Sequence, residues 1–195
     1  CNLTTIATTS FFPAKPLGCY GDGGAIFTSD EALSNSLRQI ARHGQRTQYH
    51  HEIVGVNSRL DTLQASILLA KLSILDDEME LRRLIASRYT ELLENVDHIT
   101  CPMLREDCSS AWAQYTVRVP RRDKVQKFLM GQGIPTAVYY PVPLNKQPAV
   151  ATKSAKLPIA EKASTDVLSL PMHPYLCEQS QARIVQAVMR AVKKM

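Results

Sequence analysis

Thr8-Thr9-Ser10-Phe11-Phe12-Pro13-Ala14-Lys15-Pro16-Leu17-Gly18, running into Gly21-Asp22-Gly23-Gly24, is the stretch on which the reading of the whole chain turns. One lysine follows two aromatics and stands between Pro13 and Pro16. Proline fixes its own φ and restricts the residue before it, so this context argues against a helix. A lysine held rigidly beside aromatic surface can be kept partly neutral, as covalent chemistry with a carbonyl requires. A surface turn carrying a solvated lysine is the plain alternative, and local sequence leaves both open. The glycines that follow lack dinucleotide-fingerprint spacing and suit a tight turn.

Outward from this stretch, Gly24–Thr28 reads as a short strand, with no clear strand before the glycines. Ser29 or Asp30 can cap a helix that carries Leu33, Leu37, Ile40 and Ala41 on one face and ends at Gly44. Residues 45–56 read as a polar loop with Tyr49, His50, His51 and Glu52. Adjacent histidines lack the His-x-x-x-His spacing of a helical site, so no metal is expected. Ser58 with Asp61 suggests a capping box. Leu60, Leu63, Ile67, Ala70 and Ile74 follow at helical spacing, widened by Leu68, Leu72 and Leu75, and predict a buried helix, with a partner subunit as one surface for it to pack on. Acidic residues from Asp76 to Glu80 open a more charged helix to about Leu93. The shift near residue 75 marks a boundary between domains 1–75 and 76–195, bridged by a long helix.

Beyond it, Ala113–Val119 alternates as a strand, and a helix near Asp123–Met130 is stopped by Gly131 and Gly133. Ile134–Tyr140 reads as a second strand between Pro135 and Pro141. A loop at 146–158, a short helix near Ile159–Val167 and an amphipathic helix at Glu178–Lys193 complete an α/β chain.

Composition excludes several classes. The 195 residues carry a net charge of +5, but the basic residues are scattered, with only short pairs such as Arg121-Arg122, so no nucleic-acid partner is expected. Five cysteines, odd in number and without a Cys-x-x-Cys pair, suggest neither a zinc site nor a disulfide framework, and they fit reduced thiols in the cytoplasm. No apolar run approaches the roughly 20 residues of a membrane span, so no membrane partner is expected.

Four ordered stretches resemble the sugar aminotransferases of the DegT/DnrJ/EryC1/StrS family, which use pyridoxal phosphate (PLP). They are Ser10–Lys15 with Leu17–Ala25, then Arg42-His43-Gly44, then Gly55–Ala65, then Leu168–Tyr175. The resemblance implies the C-terminal half of a PLP-dependent transferase fold: the end of the large domain (1–75) and a small C-terminal α/β domain (76–195). Family members are about twice this long and place this lysine near their middle. The chain therefore reads as a C-terminal piece, with Cys1 an unnatural start.

The resemblance also implies roles. Lys15 would bond covalently to PLP and move the proton during transfer. Ser10 would donate to the cofactor phosphate. Asn57 would reach the phosphate of a neighbouring subunit's cofactor, which implies a homodimer or higher homo-oligomer; a turn or cap residue is the alternative. Arg59 would meet an anionic sugar, its planar fork suiting a carboxylate; a surface arginine at a helix start is the alternative. Tyr139 and Tyr140 would line the sugar site, or else pack a half-buried strand. Asn145, within Pro143–Pro148, resembles the subgroup that aminates UDP-2-acetamido-2-deoxy-3-oxo-glucuronate with glutamate towards bacterial O-antigen sugars; a 4-oxo UDP-sugar is the alternative substrate that the resemblance leaves open. Family dehydratases carry histidine at the lysine position, so Lys15 points to the aminotransferase branch. The acid that pairs with the pyridine nitrogen belongs to the upstream half of the family's chain, so the 195 residues alone are expected to be inactive. The rival expectation is a non-catalytic module that associates through the 58–75 helix.

Overall fold

The structure, a computed structural model, describes residues 3–150 and 156–194. The chain falls into two units, Cys1–Asp76 and Asp77–Met195.

In the first unit, β1 (Ala7–Ser10) pairs antiparallel with β2 (Gly24–Phe27), Ala7 opposite Phe27 and Ser10 opposite Gly24. β1 corrects the expectation that no strand precedes the glycines. Ala-Thr-Thr-Ser lacks apolar alternation, and pairing with β2 makes it a strand. Helix α1 (Glu31–Ala41) is capped by Asp30, whose carboxylate accepts from the Leu33 N–H at 2.9 Å. None of its residues is fully buried, so its apolar face has little to pack against within this unit.

Two left-handed residues, His43 (φ 60°) and Gly44 (φ 74°), turn the chain out of α1. A Cβ on Gly44 would lie 1.7 Å from the Ile53 carbonyl oxygen, so only glycine fits. The returning chain is strapped along the helix end: Val56 N–H donates to Ile40 O at 2.8 Å and Ser58 N–H to Ala41 O at 3.0 Å. Between them, β3 (Gln45–Thr47) and β4 (His50–His51) form a small hairpin where a loop was expected, with Tyr49 left-handed in its turn.

That strap keeps Ser58 extended, so the expected capping box does not form. Helix α2 (Thr62–Leu72) starts only after Asp61, whose side chain makes no capping bond. The expected continuous helix is also two. The Ser73 hydroxyl donates to Ala70 O at 2.8 Å, a local bond that competes with the helix ladder, and α3 (Leu75–Leu93) starts afresh. The inward stripe of α2 is Gln64, Leu68 and Lys71, with Leu68 its one buried residue. Leu63, Leu69 and Leu72 face outward, Leu63 at 79% exposure. A cavity of about 620 Å³ opens between α1 and the strand pair, lined by Thr9, Ile26, Leu37 and Arg38.

The second unit owns a closed core. β5 (Tyr115–Arg118) pairs antiparallel with β6 (Val167–Leu170), and helices α4 (Arg122–Gly131) and α6 (Glu178–Lys193) pack with α3 against this pair. Val117, Leu129, Leu168 and Val188 are fully enclosed; each such side chain contributes about 1.5–3 kcal/mol over leaving it in water. Tyr89 stacks on Tyr115 with ring centroids 4.9 Å apart, and burial pushes both phenols up. The Tyr89 hydroxyl donates to Pro171 O at 3.0 Å, and the Tyr115 and Thr90 hydroxyls bond at 2.8 Å. Ile134–Tyr140 is not a strand: Pro135 and Pro141 limit it to one bridge, Ala137 with Ser169. Helix α5 (Pro158–Asp166) leads directly into β6, a strand that the reading left out. Among the described residues no helix is long and apolar enough to cross a membrane.

This difference in packing is measurable. Leu129→Ala is expected to destabilise the second unit by about 2–5 kcal/mol in urea unfolding followed by the fluorescence of Trp112, whose ring centroid lies 5.8 Å from that of Tyr115. Leu63→Ala, on the exposed face of α2, is expected to stay within about 0.5 kcal/mol.

Candidate functional site

The segment between β1 and β2 carries the expected lysine on a loop closed at its neck. Phe11 N–H donates to Gly23 O at 2.8 Å, Cys19 N–H donates to Phe11 O at 2.8 Å, and Lys15 N–H donates to Phe12 O at 2.8 Å, forming a turn. Cys19 is wholly buried inside the loop, its Sγ 3.0 Å from both Phe11 O and Gly21 O. A Cβ on Gly18 would come within 2.7 Å of Phe12 O and 2.8 Å of Pro13 O. Gly18 thus lets the returning chain lie directly against the backbone that presents Lys15.

Helix α2 fastens the far side of the loop. Lys71 Nζ donates to Gly18 O at 2.6 Å, and Gln64 Oε1 accepts from the Tyr20 N–H at 2.8 Å. Neither residue was singled out from sequence, although Gln64 lies within the quoted Gly55–Ala65 stretch. The available signal was spacing: Gln64, Leu68 and Lys71 share one helical face, and two polar residues on it need partners.

Lys15 itself is exposed. Ser10 lies five residues before it, at the end of β1, and its Oγ accepts from the Phe12 N–H at 3.2 Å. That bond uses a lone pair and leaves the hydroxyl proton free to donate. Asn57 and Arg59 are joined: Arg59 Nε donates to Asn57 Oδ1 at 3.2 Å, leaving the Asn57 amide N–H groups and the outer guanidinium N–H groups facing water. Lys15 and Ser10 thus share the loop that follows β1, while Asn57 and Arg59 form a separate pair ahead of α2.

Tyr139 and Tyr140 lie in the second unit, their rings edge to face at 5.6 Å. They line a largely apolar cavity of about 550 Å³ with Val142, Pro143, Leu144 and Ala163. Lys146, in a 3-10 turn at Leu144–Lys146, donates to Glu161 at 2.7 Å and, with Asn145, holds its carboxyl below the usual range. The His50, His51 and Glu52 cluster sits in the β3–β4 hairpin. There His51 Nδ1 bonds to His43 O at 2.8 Å, and Glu52 accepts from Arg46 at 3.3 Å. Among the described residues no three such side chains converge on a metal position.

Gly18→Ala should displace the lysine turn without touching the second unit. In amide NMR spectra the resonances of residues 12–23 are expected to shift while those of α4 and α6 stay in place.

Comparison with known proteins finds relatives along most of the chain. Residues 1–189 match the DegT/DnrJ/EryC1/StrS aminotransferase family. A Pseudomonas aeruginosa relative, a UDP-2-acetamido-2-deoxy-3-oxo-D-glucuronate aminotransferase, is 61% identical over 176 residues, covering 90% of this chain and 49% of its own length. A crystal structure of a DegT DnrJ EryC1 StrS aminotransferase from Brucella abortus superposes with a TM-score of 0.89 at 46% identity, over 96% of this chain and 51% of that one. A Bacillus subtilis structure with bound cofactor PMP, 32% identical, gives a TM-score of 0.86 over 97% of this chain and 46% of that one. The chain spans about half the length of the curated relatives it matches.

Proposed function

Because the chain belongs to the DegT/DnrJ/EryC1/StrS aminotransferase family, we propose that it is the C-terminal half of a nucleotide-sugar aminotransferase and that Lys15 is the residue which carries the cofactor. The family is PLP-dependent. PLP, when bound, withdraws electrons from the carbon that gains or loses the amino group.

The chain's own residues supply the rest. Lys15 Nζ would hold the cofactor covalently and would move the proton of the transfer. Ser10 Oγ–H donates to the cofactor phosphate. The Asn57 amide donates to the phosphate of a partner subunit's cofactor, within a homodimer. Arg59 presents its guanidinium to the carboxylate of the sugar, and Tyr139 and Tyr140 line the sugar site. The substrate class is a UDP-linked 3-oxo uronic acid and the donor is glutamate, in a bacterial cytoplasmic route to O-antigen sugars. The observation that carries this reading is the 61% identity to an aminotransferase of that substrate class, extending over 90% of the chain.

The acid expected to pair with the pyridine nitrogen belongs to the upstream half of the family's chain, so the 195 residues alone are inactive on this reading. A second reading, a non-catalytic module that self-associates, is favoured by the outward apolar face of α2, where Leu69 is 70% exposed. Sedimentation of the 195 residues at micromolar concentration is expected to show a dimer or larger; a monomer throughout would remove that reading.

The catalytic reading is tested with a hybrid that joins the upstream half of the P. aeruginosa relative to residue 1 of this chain. The hybrid is expected to move nitrogen from glutamate to the 3-oxo UDP-sugar. Lys15→Ala is expected to lower kcat by about 10²–10⁴-fold or more. The 195 residues alone are expected to show no transamination and no PLP absorbance band that depends on Lys15. A Lys15→Ala hybrid that keeps full activity would overturn the assignment.

A further inference from the structure

We infer that Gln64 and Lys71 on the inward stripe of α2 are positioning residues for the amine of Lys15. The inference rests on the assignment of Lys15 as the reactive lysine. Lys15 is the apex of a turn whose own backbone provides one short-range bond, Lys15 N–H to Phe12 O. Turns at loop tips move easily unless something outside them holds them. Here two side chains of one helix do so. The Lys71 ammonium meets Gly18 O at 2.6 Å, across 53 residues of sequence, and the Gln64 amide oxygen takes the Tyr20 N–H at 2.8 Å, across 44. Each completes a main-chain group that the loop leaves unused.

Four further observations identify this as a built contact. The Lys71 cation also lies 6.0 Å from the centre of the Tyr20 ring, within reach of a cation–π attraction. Gly21 leaves room for Gln64, since a Cβ there would stand 3.1 Å from Gln64 Nε2. Leu68, between the two polar residues on the same face, is the buried residue that seats α2. Cys19, wholly enclosed between the two tied residues Gly18 and Tyr20, completes the grip from inside the loop. The chemistry assigned to Lys15 needs its nitrogen in one place, because small misplacements of a reacting group cost large factors in rate. Lys71 lends a fixed charge and Gln64 a fixed acceptor, while neither is itself assigned to touch substrate or cofactor.

The experiment has two arms. The first uses the 195 residues and reads hydrogen exchange of residues 12–22. Gln64→Ala and Lys71→Met are expected to speed exchange of the Tyr20 amide and its neighbours about tenfold, with α6 unchanged. Gln64→Glu, which keeps an acceptor oxygen, and Lys71→Arg, which keeps a cationic donor, are expected to restore protection. Equal exchange in all five proteins would overturn the tie. The second arm uses the hybrid described above. Gln64→Ala and Lys71→Met are expected to lower kcat at least about tenfold with the KM for glutamate within twofold, and the conservative pair to recover it. Wild-type kcat in both disruptive variants, with their exchange raised, would show a tie that holds the loop without positioning the amine, and would overturn the proposal. A hybrid indifferent to Lys15→Ala would instead remove the assignment of Lys15, and the exchange arm would still decide whether α2 holds the loop.

Discussion

Cys19 sits at the centre of the arrangement that gives the first unit its shape. Its sulfur occupies the space between Phe11 O and Gly21 O, and the loop from β1 to β2 closes around it. A Cβ on Gly23 would press on that sulfur at 3.0 Å and on a methyl of Leu60 at 3.1 Å. The loop therefore tolerates no bulk at Gly18 or Gly23, and its large side chains project from other positions, among them its exposed tip. Lys15 stands there with Ser10 at the foot of the same loop. The glycines serve steric closeness, and what they bring close is backbone to backbone and backbone to sulfur.

The two units differ in how they are held. The second encloses a continuous set of apolar side chains from α3, α4, α6 and the β5–β6 pair, and its polar groups complete the job. Arg122, nearly buried at the start of α4, donates to Val167 O at 2.9 Å and so ties that helix to β6. In the first unit only Cys19 and Leu68 count as buried apolar residues among the described ones. At roughly 25 cal/mol per Å² of apolar surface, such a unit gains little from burial within itself. It relies on polar fastenings: the Asp30 cap, the strap of residues 56–58 along α1, and the two side chains that α2 lends to the lysine loop. Exposed Leu63, Leu69 and Leu72, with the cavity beside Ile26 and Leu37, are the surface that further protein would cover.

Elements whose signal is local were legible from sequence. The α1 cap at Asp30, the alternation of Tyr115, Val117 and Val119, the glycine stop after α4 and the amphipathic α6 all depend on neighbours within a few residues. What was missed depends on distant partners. β1 is a strand because β2 lies beside it, and the box at Ser58 fails because Ala41 claims its N–H. Ile134–Tyr140 reads as a strand by composition, but its prolines remove the donors a ladder needs. In the candidate site, Lys15 and Ser10 stand out because proline, aromatic and hydroxyl residues crowd around them. Gln64 and Lys71 do not, since a glutamine and a lysine on a helix ordinarily face water.

Helix α2 shows how such a misreading arises. Apolar residues run round most of it, and the usual rule assigns such a helix to the interior. Within this unit Leu63, Leu69 and Leu72 stay outward, while a face with Leu68 between two polar side chains points in. Both facts follow from what each face meets. The inward face meets loop backbone, whose unused carbonyl and N–H groups need a donor and an acceptor, so an ammonium and an amide fit better than methyl groups. The outward face, with Leu63, Leu69 and Leu72, is left exposed within the unit. Asn57 and Arg59 lie just before this helix, so one short segment joins the residues proposed for a partner's cofactor and for the sugar to those that hold the lysine turn.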